Sequence, residues 1–254
     1  MFAGRLQIEI HPDRAALGRA AGSAAGREIE RLIGESGEAA VVFAAAPSQH
    51  ETHATLRADS RVDWLRVTAL HMDEYAGMPP DHPASFRRFL RNSLFDFAPV
   101  KAFHELSGDA RDLRAECRRY AALLREAGPR LCVLGIGENG HLAFNDPPAD
   151  FEDPEDVKIV DLDEACRAQQ VHDGCFGKIE DVPRQALTLT VPALMRIPRL
   201  ILAVPGRAKA EAVRAAVEGE ITPCCPASIL RRHSHATLYL DRDSAALLAP
   251  DEAG

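Results

Sequence analysis

The stretch Leu131-Cys-Val-Leu-Gly-Ile-Gly-Glu-Asn-Gly-His-Leu-Ala-Phe-Asn-Asp146 decides how this chain is organised. Its first part is an apolar run of the kind that forms a strand buried on both faces. Glycines at 135, 137 and 140 follow, and they permit a tight or left-handed backbone where bulkier residues would not fit. His141 then emerges at the carboxyl end of the expected strand, where open α/β sheets bind their ligands. Glu138, Asn139, Asn145 and Asp146 flank it and offer partners that could fix its tautomer and charge. A polar cluster on a glycine-rich turn after a buried strand is the pattern of a catalytic loop.

Working outward, similar apolar runs at 39–46, 65–70, 200–204 and 236–240 predict further strands. Between them lie helical patterns at 13–33, 85–94, 109–126 and 209–218; in the first, apolar residues at 17, 20, 21, 24, 29, 32 and 33 share one face. Pro- and Gly-rich stretches at 77–83, 146–154 and 222–226 read as loops. The alternation predicts an α/β fold, a Rossmann-like, doubly wound and mostly parallel sheet flanked by helices, with residues 1–254 forming one domain. The spacing Gly135-x-Gly137-x-x-Gly140 matches a dinucleotide fingerprint, but a histidine and an Asn-Asp pair follow it where a helix should begin. No dinucleotide cofactor is therefore expected.

Composition narrows the class. The chain has 254 residues, 46% of them hydrophobic and 27% charged, as expected for a globular protein with a large core. Its formal net charge of −8 argues against general nucleic-acid binding but leaves room for a locally positive site. No apolar run approaches the ~20 residues needed to span a bilayer, and the first residues lack a signal-peptide pattern, which predicts a cytoplasmic protein without a membrane partner. The six cysteines, at 117, 132, 166, 175, 224 and 225, form no C-x-x-C pair, so free thiols are expected and neither a disulfide nor a metal site. A homo-oligomer is compatible with all of this.

Three more loops carry chemistry. His71-Met-Asp-Glu-Tyr75 follows the strand at 65–70, and because neighbouring side chains in an extended chain point to opposite faces, only one of Asp73 and Glu74 should enter a site. In Ala44-Ala-Ala-Pro-Ser-Gln49 the small residues, including Ala45 and Ala46, would let an anion approach a helix N-terminus. Ser48 would add a hydroxyl there, or simply cap the helix. In Val204-Pro-Gly-Arg-Ala-Lys209 a cation stands near a helix start, an unfavourable place unless an anion binds nearby. Arg207 could assist it. Four such loops on one sheet edge describe a site for a phosphorylated small molecule that undergoes proton transfer.

In these segments the chain resembles the glucosamine-6-phosphate deaminase (isomerase) family, which shares its fold with 6-phosphogluconolactonases. Family members carry Met-Asp-Glu-Tyr followed by Gly, Pro and His-Pro-x-Ser, matched by Met72-Asp-Glu-Tyr-Ala-Gly-Met-Pro-Pro-Asp-His-Pro-Ala-Ser85. The family pattern G-x-G-x-[DN]-G-H-x-x-F-N-E-P is matched from Gly135 to Pro147, and Val-Pro-x-x-Ala-Leu-Thr from Val182 to Thr188. Gly206-Arg-Ala-Lys-Ala210 matches the segment with the phosphate lysine. The resemblance implies that Asp73 is the base that moves the C2 proton and that His141 assists ring opening, tuned by Asn139 and Asp146. It implies that Lys209 holds the phosphate, with Ala45, Ala46, Ser48, Glu74, Gly137 and Gly140 as further substrate contacts. The implied reaction converts glucosamine 6-phosphate and water to fructose 6-phosphate and ammonia in amino-sugar (N-acetylglucosamine) catabolism, with no metal or redox cofactor.

The chain departs from the family at several positions. Asp146 stands where Glu is usual, Asn139 where Asp is common, and Ala44-Ala-Ala-Pro-Ser-Gln49 lacks the glycines and most hydroxyls of the usual phosphate loop. The family arginine upstream of Val-Pro has no match, and Gln169-Gln-Val-His-Asp-Gly-Cys175 occupies that region. These departures set two rivals beside the deaminase: a lactonase-type hydrolase and a non-catalytic sugar-phosphate sensor. Phe144, Asn145 and Tyr75 favour the deaminase over the lactonase, whose usual continuation is Gly-His-Thr-Ala-Ser-Leu-Phe.

Overall fold

The computed structural model describes residues 1–249. Its strands are β1 (Phe2–Ala3), β2 (Leu6–His11), β3 (Ala39–Phe43), β4 (Val67–His71), β5 (Asp73–Tyr75), β6 (Ala102–His104), β7 (Leu131–Leu134), β8 (Val157–Asp161), β9 (Gln185–Leu189), β10 (Arg199–Val204) and β11 (Ala236–Asp241). The helices are α1 (Arg14–Ser36), α2 (His50–Arg57), α3 (Phe86–Leu90), α4 (Leu113–Ala127), α5 (Glu164–His172), α6 (Val191–Met195) and α7 (Ala210–Glu218).

An eight-stranded sheet runs in the order β1-β2-β11-β10-β7-β3-β4-β6, parallel throughout except for the β1–β2 pair. Successive side chains in its middle strands feed two different cores, which is why the runs are apolar on both faces. Val41 and Phe43 of β3, Val133 of β7 and Ile201 of β10 pack with Leu17, Ala21, Ile29 and Leu32 of α1. Val42, Cys132, Leu134 and Leu202 pack on the other face with Tyr120 and Leu124 of α4 and Val213 and Val217 of α7. The expected doubly wound arrangement is therefore present.

Topology fixes where a ligand can sit. From β3 the chain winds outward through β4 to β6, and β7 returns to the opposite side of β3, with Phe43 opposite Val133. The loops after β3 and β7 diverge at this switch point and leave a crevice at the carboxyl edge. No helix among the described residues is long and apolar enough to cross a membrane.

Several elements differ from expectation. The helix at 85–94 is α3 followed by a π-helical turn, Arg91–Phe95. The strand expected at 39–46 stops at Phe43, and the apolar run that begins at Leu131 is a strand only to Leu134, where neighbour pairing ends and the loop begins. A second, antiparallel sheet, β5-β9-β8, had not been expected. It is short, and β5 follows β4 after a single residue, so its pattern merges with that strand. It carries Asp73, which lines the cavity at the carboxyl edge of the main sheet.

Candidate active site

Glycine geometry shapes the β7 loop. Gly140 turns with φ +85°, and its carbonyl accepts the Ala227 N–H at 2.9 Å. The Gly137 N–H donates to the His141 carbonyl at 3.0 Å, which folds the loop back on itself. A Cβ at Gly137 would lie 2.3 Å from His141 Cε1, so only glycine leaves room for the ring. Asn145 anchors the far end, donating to the carbonyls of Leu142 and Leu189, both at 2.8 Å.

Behind the ring lies a polar brace. Asn139 Oδ1 accepts the His141 N–H at 3.1 Å, and its amide donates to Asp146 Oδ1 at 3.0 Å and Asp163 Oδ2 at 3.2 Å. Asp146 Oδ1 stands 3.2 Å from His141 Nδ1, an ion-pair distance, but outside hydrogen-bond geometry, so Nδ1 has no aligned partner. Burial opposes ionisation of Asp146, yet the His141 ring, the Asn139 amide and the Asp163 N–H outweigh it and hold its pKa below the usual value. Asp146 therefore reaches the histidine despite being one methylene shorter than the usual family residue.

On the opposite wall, Asp73 faces the cavity and Glu74 faces away. Glu74 accepts from Ser85 Oγ at 2.8 Å and from the N–H groups of Phe86 and Arg87 at 3.2 Å, and pairs with Arg87 Nε at 3.2 Å. Arg87 in turn reaches Asp109 at 3.0 Å and the Met78 carbonyl at 2.6 Å. Asp73 has no such cationic partner among the described residues: burial, reinforced by the Glu74 charge, pushes its pKa well above the ordinary carboxylate value. A carboxylate with this raised basicity suits a general base.

The third wall combines small residues with a buried cation. Ala44, Ala45, Ala46 and Ser48 line it, with Lys209 rising from the turn before α7. Lys209 is 6% exposed and makes no ion pair among the described residues. Burial lowers its pKa, an effect opposed by Asp173 and Glu138. Ser48 does not cap α2; its hydroxyl instead accepts from the Gln49 amide at 3.3 Å.

A glucosamine-6-phosphate isomerase/6-phosphogluconolactonase model matches residues 12–239. The chain belongs to this family. Within it, the chain is 40% identical over 193 residues to a glucosamine-6-phosphate deaminase of Exiguobacterium sibiricum, covering 76% of this chain and 75% of that one. It is 35% identical over 219 residues to the enzyme of the same name from Bacillus cytotoxicus, covering 86% and 82%. A solved structure described as a monomeric glucosamine-6-phosphate deaminase superposes with a TM-score of 0.87 at 30% identity, covering 95% and 99%. A 6-phosphogluconolactonase from Thermotoga maritima gives 0.76 at 19% identity, covering 93% and 99%, a likeness of fold.

Set on this family frame, Asp73, His141, Lys209, Gly137, Ala45, Ala46 and Ser48 meet at one cavity. Asn139 and Asp146 stand behind the histidine and are not on the cavity wall. Two expected substrate contacts need correction. Glu74 is fully buried on Arg87 because the strand pleat turns it away from Asp73. Gly140 packs beside Cys225 and serves the turn, not the cavity.

Sequence reasoning missed the contribution of α5. Gln169 and Gln170 of α5, with Asp173 just past its end, line the cavity, although no strand-like apolar run leads into them. Gln169 Oε1 accepts the Glu138 N–H at 2.8 Å, and Gln170 Oε1 accepts from the Tyr75 hydroxyl at 2.6 Å. The available signal was Asp163, whose carboxylate caps α5 by accepting the Cys166 N–H. Gln49 was also missed as a lining residue; its amide is pinned by the Ala203 carbonyl at 3.1 Å.

Proposed function

We propose that this family member is a deaminating aldose–ketose isomerase converting glucosamine 6-phosphate and water to fructose 6-phosphate and ammonia. The observation that carries this is the convergence of Asp73 and His141, two proton-transfer groups from different loops, on one cavity that also holds Lys209. Identity of 35–40% to proteins named for this activity favours the deaminase over the lactonase. The Lys209 ammonium and the small loop at Ala44–Ala46 receive the phosphate. His141 moves a proton between the hydroxyl on C1 and the ring oxygen, which opens the sugar to a C1 aldehyde. That carbonyl acidifies C2, and Asp73 takes the C2 proton as the C1 oxygen gains one from solvent, giving an enolamine; return of the proton to C1 leaves an iminium at C2. Water adds to that iminium carbon, and the C2–N bond then breaks to release ammonia.

The chain acts as one domain in cytoplasmic amino-sugar breakdown, where it takes a phosphorylated amino sugar as substrate. Ammonia release from glucosamine 6-phosphate, measured beside hydrolysis of 6-phosphogluconolactone, tests the proposal. Ammonia release that vanishes in Asp73→Asn supports it. Lactone hydrolysis without ammonia release, or binding of both compounds with turnover of neither, overturns it.

A further inference from the structure

Cys166 takes part in none of these steps, yet it is fully buried directly behind the catalytic loop. Donor atoms of His141, Asp146 and Cys166 all lie within 4.8 Å of one another. His141 Nδ1 is a buried ring nitrogen without an aligned hydrogen-bond partner among the described residues, on a residue only 9% exposed. We propose that these three side chains form a binding site for a divalent cation of the Zn2+ class, and that the bound ion stops turnover by withdrawing His141 from ring opening. The effect on turnover rests on the role proposed for His141, whereas the binding does not.

The donor set selects the ion. A thiolate, an imidazole and a carboxylate suit Zn2+ or Co2+, whereas Mg2+ and Ca2+ prefer all-oxygen shells. Zn–N and Zn–O bonds of about 2.0–2.1 Å at a tetrahedral angle place the two donors about 3.3 Å apart. His141 Nδ1 and Asp146 Oδ1 already stand at 3.2 Å, so only the sulfur must close in. The outer groups that orient a metal ligand are also present. Asn139 donates to Asp146 Oδ1 at 3.0 Å and the Asp163 N–H to Asp146 Oδ2 at 3.1 Å.

Charge and atoms balance without any redox step. The Cys166 S–H bond breaks, its proton leaves to solvent, and the sulfur lone pair forms the bond to the metal. Thiolate and carboxylate then neutralise the dication, while the imidazole binds through its free Nδ1 lone pair. Three protein donors leave a fourth position for water. The linear spacing of 141, 146 and 166 resembles no local metal motif, and only the packing of α5 against the β7 loop brings the sulfur into place.

The test is a Co2+ titration of EDTA-treated full-length protein carrying Cys224→Ser, which removes the exposed thiol. A near-ultraviolet thiolate-to-cobalt band saturating at one equivalent and abolished by Zn2+ is expected. Zn2+ should also inhibit ammonia release, reversibly with EDTA. Cys166→Ser should keep basal activity, lose the band and need at least ~10-fold more Zn2+ for half-inhibition. Cys166→Ala is measured in its place if circular dichroism shows the serine variant unfolded. Absence of the band in Cys224→Ser, or unchanged Zn2+ sensitivity without Cys166, overturns the proposal. If glucosamine 6-phosphate yields no ammonia at all, the cobalt band still decides the site.

Discussion

Asp73 and Glu74 are adjacent carboxylates with different surroundings: Glu74 pairs with Arg87 at 3.2 Å, while Asp73 faces the cavity and makes no ion pair among the described residues. The two-residue pleat of β5 separates them, and the Arg87 network holds the strand in that orientation. Burial raises the pKa of both carboxyls, but only Glu74 has Ser85, two backbone N–H groups and the Arg87 guanidinium to oppose the rise.

In the proposed mechanism Asp73 is the base and sets the acid side of the pH profile. It must then be ionised, so kcat/KM is expected to fall as pH drops through a pKa raised above the ordinary 3.8. A raised folded-state pKa also means that folding favours the protonated form. Its stabilising contribution is present below the unfolded value and is lost as pH rises through the folded value. Asp73→Asn should therefore lower kcat at least ~10²-fold while raising Tm at neutral pH and not at the most acidic pH tested. Ammonia assays and melts across pH measure both.

Arg87→Ala strands the buried Glu74 carboxylate. Breaking such a pair from one side costs about 3–5 kcal/mol, which urea denaturation will register. Glu74→Gln instead removes a charge that raises the Asp73 pKa. The acid limb of kcat/KM should move to lower pH, and a limb that moves upward would contradict the coupling.

Gly137→Ala tests the fit of the histidine. The added methyl would meet the ring at 2.3 Å and force it aside. A displacement near 1 Å costs about 10²-fold in rate, so kcat should fall by that order while KM changes little. Steady-state kinetics separate the two constants, and an unchanged kcat would show that the ring has room.

Lys209→Met removes the cation and keeps an unbranched buried side chain. A hydrogen bond to a charged group contributes about 1.5–3 kcal/mol, so KM for the phosphorylated sugar should rise at least ~10-fold. Tm should not fall, because burial already disfavours the charged lysine. Loss of kcat alone, with KM unchanged, would place the phosphate elsewhere.

Much of this site was legible before the fold. The apolar run at 131–134 and the glycines after it located His141, and strand alternation foretold that only one of Asp73 and Glu74 would face the cavity. Family resemblance had nevertheless put Glu74 among the contacts, and the pleat removes it. Gln169, Gln170 and Asp173 stayed hidden because a polar cavity-facing helix has no pattern distinguishing it from a solvated one.

What the sequence by itself determined is local: which segments are strands or helices, where glycine must turn the chain, and which loops carry a carboxylate pair, a histidine and a lysine. Those follow from side-chain periodicity and backbone sterics, which act over a few residues. The tertiary structure alone decided which loops meet. The order β10-β7-β3-β4 brings residues 73, 141 and 209 to one crevice, and packing of α5 puts Cys166 behind the ring. Strand partners are chosen by burying two apolar faces at once, a property of the whole sheet that no single segment contains.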